Sequence, residues 1–337
     1  MTDVFDHPWL GGLFADPDMG ALWSPEAQLS GMRAFEAAWS RALGQDNSEA
    51  AARAIEAMEF DLADLRAGTA QDGVVVPRLV AQMKAAAGAP VHKGATSQDV
   101  IDSATALAMR DTLALLDTRL AALVEALTDL DMRFGTRPLM GRTRMQAATE
   151  ITVHDRIAPW LLPLLTHRHR LAELRPRVAV VQIGGASGDR AGLRPGMVED
   201  VAAALGLGAP PRAWHAMRDG VAEFAGFLSL VSGTLGKIGQ DIALMAQQGI
   251  SEIALSGGGG SSAMPHKQNP VGAELLVTLA RFNAVQLSAV HLALVHEQER
   301  SGTAWALEWM VLPQMAQATG RALVVARTLA GQVQRMG

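Results

Sequence analysis

Apolar residues recur along two stretches of this chain with gaps of four and three. Met109, Leu113, Leu116, Leu120, Leu123, Leu127 and Leu130 form the first series. Trp214, Met217, Val221, Phe224, Leu228, Val231, Leu235, Ile238, Ile242 and Met245 form the second. A spacing near 3.5 residues lays one apolar seam along a helix and lets it pack nearly parallel to its neighbours. Each series predicts a helix of roughly thirty residues or more, longer than an ordinary compact domain needs. Such helices require partners along their whole length, which predicts a large bundle shared between subunits. Gly226, Gly233, Gly236 and Gly239 lie within the second seam. Glycine weakens a helix, so these four predict close approach of neighbouring helices.

The rest of the pattern is shorter and mostly helical. Ser24-Pro25-Glu26 is a compact helix-start signal, and Gly44 is placed to end the segment that follows. Amphipathic pieces continue to Gly88, where Gly88-Ala-Pro90 breaks them. Alternation of the kind that marks a strand is not evident, and there is no internal repeat. The predicted organisation is an N-terminal helical domain over residues 1–95 and a central long-helix domain over residues 96–337.

Composition narrows the chemistry. The 337 residues carry a formal net charge of −5 and no basic stripe, which argues against nucleic acid as a partner. Cysteine is absent, so thiolate nucleophiles and Cys-ligated zinc are excluded, and the chain suits a reducing compartment. Tyrosine is absent too, leaving Ser, His, Lys, Asp or Glu as proton carriers. The nine histidines show no metal-ligand spacing. The first residues lack a cationic leader with an apolar core. No uninterrupted apolar run reaches the ~18 residues of a membrane span. A soluble cytoplasmic protein without metal or membrane is expected.

Four segments concentrate polar groups. Ser256-Gly-Gly-Gly-Gly-Ser261-Ser262-Ala-Met264-Pro265-His266-Lys267-Gln-Asn269-Pro270 sets two hydroxyls, a lysine and an asparagine behind four glycines. The glycines predict a freely moving backbone, and Asn269-Pro270 predicts a helix start with Asn as its cap. A helix N-terminus beside a lysine is a site for a carboxylate. Val91-His92-Lys93-Gly94-Ala95-Thr96-Ser97-Gln98-Asp99 precedes the first long helix, with Thr96 or Ser97 as its cap and Asp99 and Asp102 in its first turns. There His92, Thr96 and Ser97 could equally bind a carboxylate. Gly141-Arg142-Thr143-Arg144-Met145-Gln146 follows a break at Gly135-Thr-Arg-Pro138. Lastly, His296-Glu297-Gln298-Glu299-Arg300 leads into a Trp-rich stretch with Trp305 and Trp309, read as packing residues.

The loop from Gly260 to Pro270 resembles the GSSxMPxKxNP signature of the fumarase/aspartase superfamily. His92 to Asp102 is similar to the family's HxGxTSxDxxD segment, and Gly141 to Gln146 to its GxTxxQ segment. Similarity extends from His7-Pro-Trp9 to Leu312-Pro313. The resemblance implies an all-α fold, an elongated long-helix bundle assembled as a homotetramer with sites shared between subunits. The further C-terminal helical domain common in the family is expected to be missing.

For chemistry, the resemblance implies a cofactor-free reaction in which Ser261 carries the proton at the carbon α to a carboxylate. Lys267 and Asn269 would then stabilise the aci-carboxylate dianion. His92, Thr96, Ser97, Arg144, Gln146, Ser262, Met264 and Arg300 would bind substrate. One position departs from the pattern: Arg144 stands where fumarate-releasing members usually carry histidine. An amine or hydroxide leaving group needs a proton from such a histidine. A carboxylate, with an ordinary pKa near ~4, leaves without one. Arginine also suits a substrate bearing three carboxylates. The expectation is therefore a cycloisomerase acting on a small tricarboxylate. Alternatives are an adenylosuccinate- or argininosuccinate-type lyase, or a non-catalytic helical assembly protein of the crystallin kind.

Overall fold

The computed structural model describes residues 3–88, 90–260, 264 and 267–337. Ser261 and Ser262 lie outside the described residues. The N-terminal part holds α1 (Gly11–Phe14), α2 (Pro17–Leu22), α3 (Pro25–Leu43), α4 (Ser48–Ala57), α5 (Leu62–Asp72) and α6 (Val76–Ala87). Then come α7 (Ser97–Phe134), β1 (Pro138–Thr143), β2 (Gln146–Thr152), α8 (Val153–Val178), α9 (Met197–Leu205) and α10 (Asp219–Met245). The chain continues with β3 (Ile253–Leu255), α11 (Val271–Leu292), α12 (Gly302–Gln332) and β4 (Val333–Met336). Helix dominates, as the patterning predicts. Ser24 caps α3 by accepting the Ala27 N–H at 3.1 Å, and Gly44 ends it in the left-handed conformation at φ 60°.

Every residue of the first seam is buried on α7, from Met109 to Leu130. At 1.5 Å per residue, this 38-residue helix is about 57 Å long. The second seam is buried from Val221 to Met245, but its first two positions are not helical. Trp214 lies buried in the preceding loop, and Met217 is exposed. The helix begins only at Asp219, because Arg218 is drawn into a buried ion-pair network described below.

Contacts at the helix ends fix the bundle's directions. Arg300, just before α12, bonds Thr96 at the start of α7. Arg133, near the end of α7, donates to the Val333 carbonyl past the end of α12 at 2.8 Å. The two helices therefore run parallel. Helix α8 returns antiparallel, since it follows the hairpin at the far end and its Arg177 pairs with Glu223 near the start of α10. Helix α10 runs up, α11 down and α12 up again. Gly236 and Gly239 on α10 face α11, and a methyl at Gly239 would overlap the Ala273 carbonyl and Leu276. A methyl added at Gly226 or Gly233 would meet nothing within 4 Å among the described residues, so within one chain only half of the glycine expectation holds.

One expectation needs correction. Four strands are present among the described residues: β1 pairs antiparallel with β2, and β3 with β4. The first hairpin leaves most of its side chains exposed on both faces, so it has no hydrophobic alternation for a sequence to display. Helices α10 and α11 are also long and apolar enough to cross a membrane by length and composition. Their glycines, hydroxyls and isolated charges interrupt the runs without lowering the average much. Packing accounts for α10, whose most apolar window is 61% buried, whereas that of α11 is only 28% buried.

Candidate active site

Helix α7 starts with a carboxylate that organises its surroundings. Asp99, fully buried, accepts four N–H groups. Its Oδ1 takes the Gly184 amide at 2.9 Å and His215 Nε2 at 2.8 Å. Its Oδ2 takes the amides of Thr96 and Gly185, both at 3.0 Å. Four donors fill the lone-pair sites of a carboxylate, which is what permits its burial. Thr96 is thus the N-cap residue of α7 and Ser97 its first helical residue. Arg300 reaches the same point: Nη1 donates to the Thr96 hydroxyl at 3.1 Å and Nη2 to the Ala186 carbonyl at 3.0 Å. His92, four residues before Thr96, has φ 58° and places Nδ1 2.5 Å from Glu36 Oε1.

Beneath this cluster lies an ionic network closed to solvent. Arg218 donates Nη1 to Asp102 Oδ2 at 2.7 Å and Nε to Glu308 Oε1 at 2.9 Å, with Nη2 also pairing to Glu308. Trp305 Nε1 donates to Asp102 Oδ1 at 2.9 Å, and Gln98 bridges Asp102 and the His215 carbonyl. Trp305, read from sequence as packing, is thus also a hydrogen-bond donor. Burial raises the Glu308 carboxyl above its ordinary range, against the pull of Arg218. Burial opposes the charge on Arg218 too, but Asp102 and Glu308 hold its pKa above the ordinary guanidinium value. The ring of His296, at the edge of this network, is pushed down by burial and then by Arg218. One cation between two carboxylates locks the starts of α7, α10 and α12 together.

The glycine-rich loop sits at the other end. Gly259 and Asn269 exchange both backbone bonds, N–H to O at 2.9 and 2.8 Å, pinching the loop shut at its base. A methyl on Gly257 would meet Gln332, on Gly258 the Asn269 carbonyl, and on Gly259 the Val271 side chain. Gly258 and Gly259 are thus held by close approach, whereas the end of the Gln332 side chain could swing away from a methyl on Gly257, and none of the four has positive φ; the expectation of unrestrained backbone is corrected to close packing at the loop base. Asn269 does not cap the helix either. Helix α11 begins at Val271 with Pro270 as the flanking residue and no side-chain cap, because Asn269 is held in the bridge to Gly259. Lys267 and Met264 are exposed between these anchors.

Arg144 and Met145 form the two-residue tip of the β1–β2 hairpin, at φ 49° and 65°. Two consecutive left-handed residues are the geometry of a type I′ turn, unusual without Gly or Asn. The tip and Gln146 are exposed. Arg142 pairs with Glu252 at 2.8 Å, placing the hairpin beside β3 and the loop base. The structure therefore brings His92, Thr96, Ser97 and Arg300 to one end of α7, and Arg144, Gln146, Met264, Lys267 and Asn269 to the other. Sequence reasoning missed Glu36, His215, Arg218 and the Gly184–Ala186 loop, since each lies far along the chain from the groups it supports. Only the glycine pair at 184–185 left a local trace.

The protein-family profile described as "Lyase" matches residues 26–285. The chain belongs to this family, the fumarase/aspartase superfamily. It is an enzyme. A protein named 3-carboxy-cis,cis-muconate cycloisomerase from Pseudomonas aeruginosa is 39% identical over 94% of this chain and 73% of its own length. The crystal structure of 3-carboxy-cis,cis-muconate lactonizing enzyme from Pseudomonas putida matches with a TM-score of 0.90 at 36% identity. It covers 98% of this chain and 77% of the other. Fumarate lyase from Mesorhizobium sp. BNC1 matches with a TM-score of 0.88 at 34% identity, over 96% and 76% of the two chains. The all-α long-helix bundle is that of the superfamily.

Proposed function

We propose that this enzyme is a cofactor-free cycloisomerase converting 3-carboxy-cis,cis-muconate to 4-carboxymuconolactone, in the protocatechuate branch of aromatic degradation. The observation that carries this reading is the 39% identity to a cycloisomerase over 94% of the chain, together with Arg144 at the hairpin tip. In this reading a substrate carboxylate adds to the conjugated diene, forming the lactone C–O bond. The electron pair moves onto the neighbouring carboxylate as an aci-carboxylate dianion, held by Lys267 and Asn269. Protonated Ser261 delivers its proton to carbon and ends as an alkoxide, which solvent reprotonates. No leaving group needs an acid, which suits arginine rather than histidine at position 144.

The placement of the candidate residues supports a homotetramer with composite sites. The two groups of binding residues sit at opposite ends of a helix about 57 Å long, too far to meet in one chain. A site holding Arg300, Arg144 and Ser261 together requires other copies. The exposed apolar residues Val285 and Leu292 on α11 fit such an assembly. The division into residues 1–95 and 96–337 and a cytoplasmic location complete the proposal. The test is spectroscopic. Purified enzyme should bleach the diene absorbance of 3-carboxy-cis,cis-muconate, and Ser261→Ala should abolish this. No bleaching by wild type, or full bleaching by the variant, overturns the reading. The second reading, favoured by the likeness to a fumarate lyase, would appear instead as fumarate release from a succinyl substrate.

A further inference from the structure

Glu36 was not among the residues that the sequence marked, yet its environment is unusual. It lies on α3, a helix of the N-terminal part, and its side chain is fully buried. Its Oε1 meets His92 Nδ1 at 2.5 Å, while its Oε2 has no hydrogen-bond partner among the described residues. The same helix holds the next residue of the loop: Trp39 Nε1 donates to the Lys93 carbonyl at 3.1 Å. His92 itself is in the left-handed region at φ 58°, a conformation that crowds the Cβ of any residue bearing a side chain. Strain of this kind persists where the surroundings over-determine it and concentrates at functional sites.

Counting protons explains what the pair does. An ionised Glu36 beside a neutral imidazole would be a buried charge with one hydrogen bond, an arrangement that proteins avoid. The pair is balanced when it holds one proton more, either as carboxylate with imidazolium or as carboxylic acid with neutral imidazole. Nδ1 is engaged with Glu36 in both forms, and Nε2 therefore carries hydrogen in both. The imidazole is partly exposed, at the α7 start where Thr96 and Arg300 meet.

We propose that Glu36 is a positioning residue that holds His92 as an Nε2–H donor for a carboxylate of the substrate. This rests on the tricarboxylate reading above. Arg300 and His92 then present two donors to substrate from one end of α7, each anchored by groups from a different part of the chain. Neither moves during the reaction; both bind ground state and transition state alike, so their loss weakens binding more than turnover.

Glu36→Gln keeps the side-chain shape and can still accept the Nδ1–H. An amide can accept from Nδ1–H or donate to Nδ1, so it no longer fixes the tautomer or holds the extra proton, and Nε2 is no longer held as a donor facing a carboxylate. Two quantities are measured in the full-length enzyme: KM and kcat on 3-carboxy-cis,cis-muconate, and Kd for propane-1,2,3-tricarboxylate by calorimetry. The expected result for Glu36→Gln is a rise in both KM and Kd of about tenfold or more, with kcat changed less, since a charge-assisted hydrogen bond is lost. His92→Gln should match it, the double variant should be no worse than either alone, and Glu36→Asp should recover part of the loss. Unchanged KM and Kd in Glu36→Gln, or effects of the two single variants that add, overturn the proposal. If wild type fails on the muconate but Glu36→Gln still weakens tricarboxylate binding, the substrate reading falls and the positioning role stands.

Discussion

At the end of the bundle where α7 and α12 begin, charged groups are buried and paired; at the end where they finish, charged groups are exposed and backbone pairing carries the elements. Asp99, Asp102, Arg218 and Glu308 are all buried in the first region. In the second, Arg144, Gln146 and Lys267 are all exposed. The first end is tied together within one chain: Asp102 on α7, Arg218 before α10 and Glu308 on α12 pair with one another, while Glu36 Oε2 on α3 has no partner among the described residues. The second is a hairpin and a pinched loop that project polar groups outward. A composite site needs one rigid wall and one set of groups that reaches into a neighbour, and the two ends divide these tasks.

The largest effect should come from the rigid end. Arg218→Met leaves Asp102 and Glu308 facing each other without their cation, and should lower unfolding stability by about 3–5 kcal/mol in urea titration. An unchanged midpoint would show that the network is not what joins the three helix starts. A smaller loss is expected along the bundle. Gly239→Val forces a side chain against Ala273 and Leu276 and should cost about 1–3 kcal/mol. Gly233→Ala, with open space around it in one chain, should instead be neutral or stabilise by up to ~1 kcal/mol. A clear loss at Gly233 together with dissociation in sedimentation would place that face against a second copy.

The smallest change in stability should come from the projecting end. Arg144→Ala should alter unfolding by no more than ~0.5 kcal/mol, as for an exposed position. Turnover of the muconate should nonetheless fall by at least about tenfold, because an arginine–carboxylate contact is lost. Refolding a mixture of Arg144→Ala and Ser261→Ala should restore some activity if the two residues of a site come from different copies. No recovery from the mixture would mean that both come from the same one.

Much of the fold was legible because its signals are local. The first seam needs only seven apolar positions at helical spacing, and all seven are buried. Ser24-Pro25 and Gly44 mark helix ends through their own backbone preferences. The hairpin was not legible, since its strands are held by backbone bonds and bury too little to alternate. The second helix was read five residues early because Trp214 and Met217 fit its period. Arg218 interrupts that period by bonding Asp102, 116 positions earlier. The glycine run misled for a related reason: glycine marks both freedom and close contact, and only Asn269 and Val271 decide between them.

Composition, seam spacing and short motifs determined by themselves the helical class, the absence of thiol chemistry and the segments that carry reactive groups. These follow from residue types and near neighbours, whose preferences do not depend on the rest of the chain. Tertiary structure alone decided that Asp99 gathers four donors, that Glu36 stands behind His92, and that the candidate residues part to opposite ends of α7. Apart from the Thr96 amide beside Asp99, those facts depend on groups brought together from 56 to 204 positions apart, and only packing makes such groups neighbours.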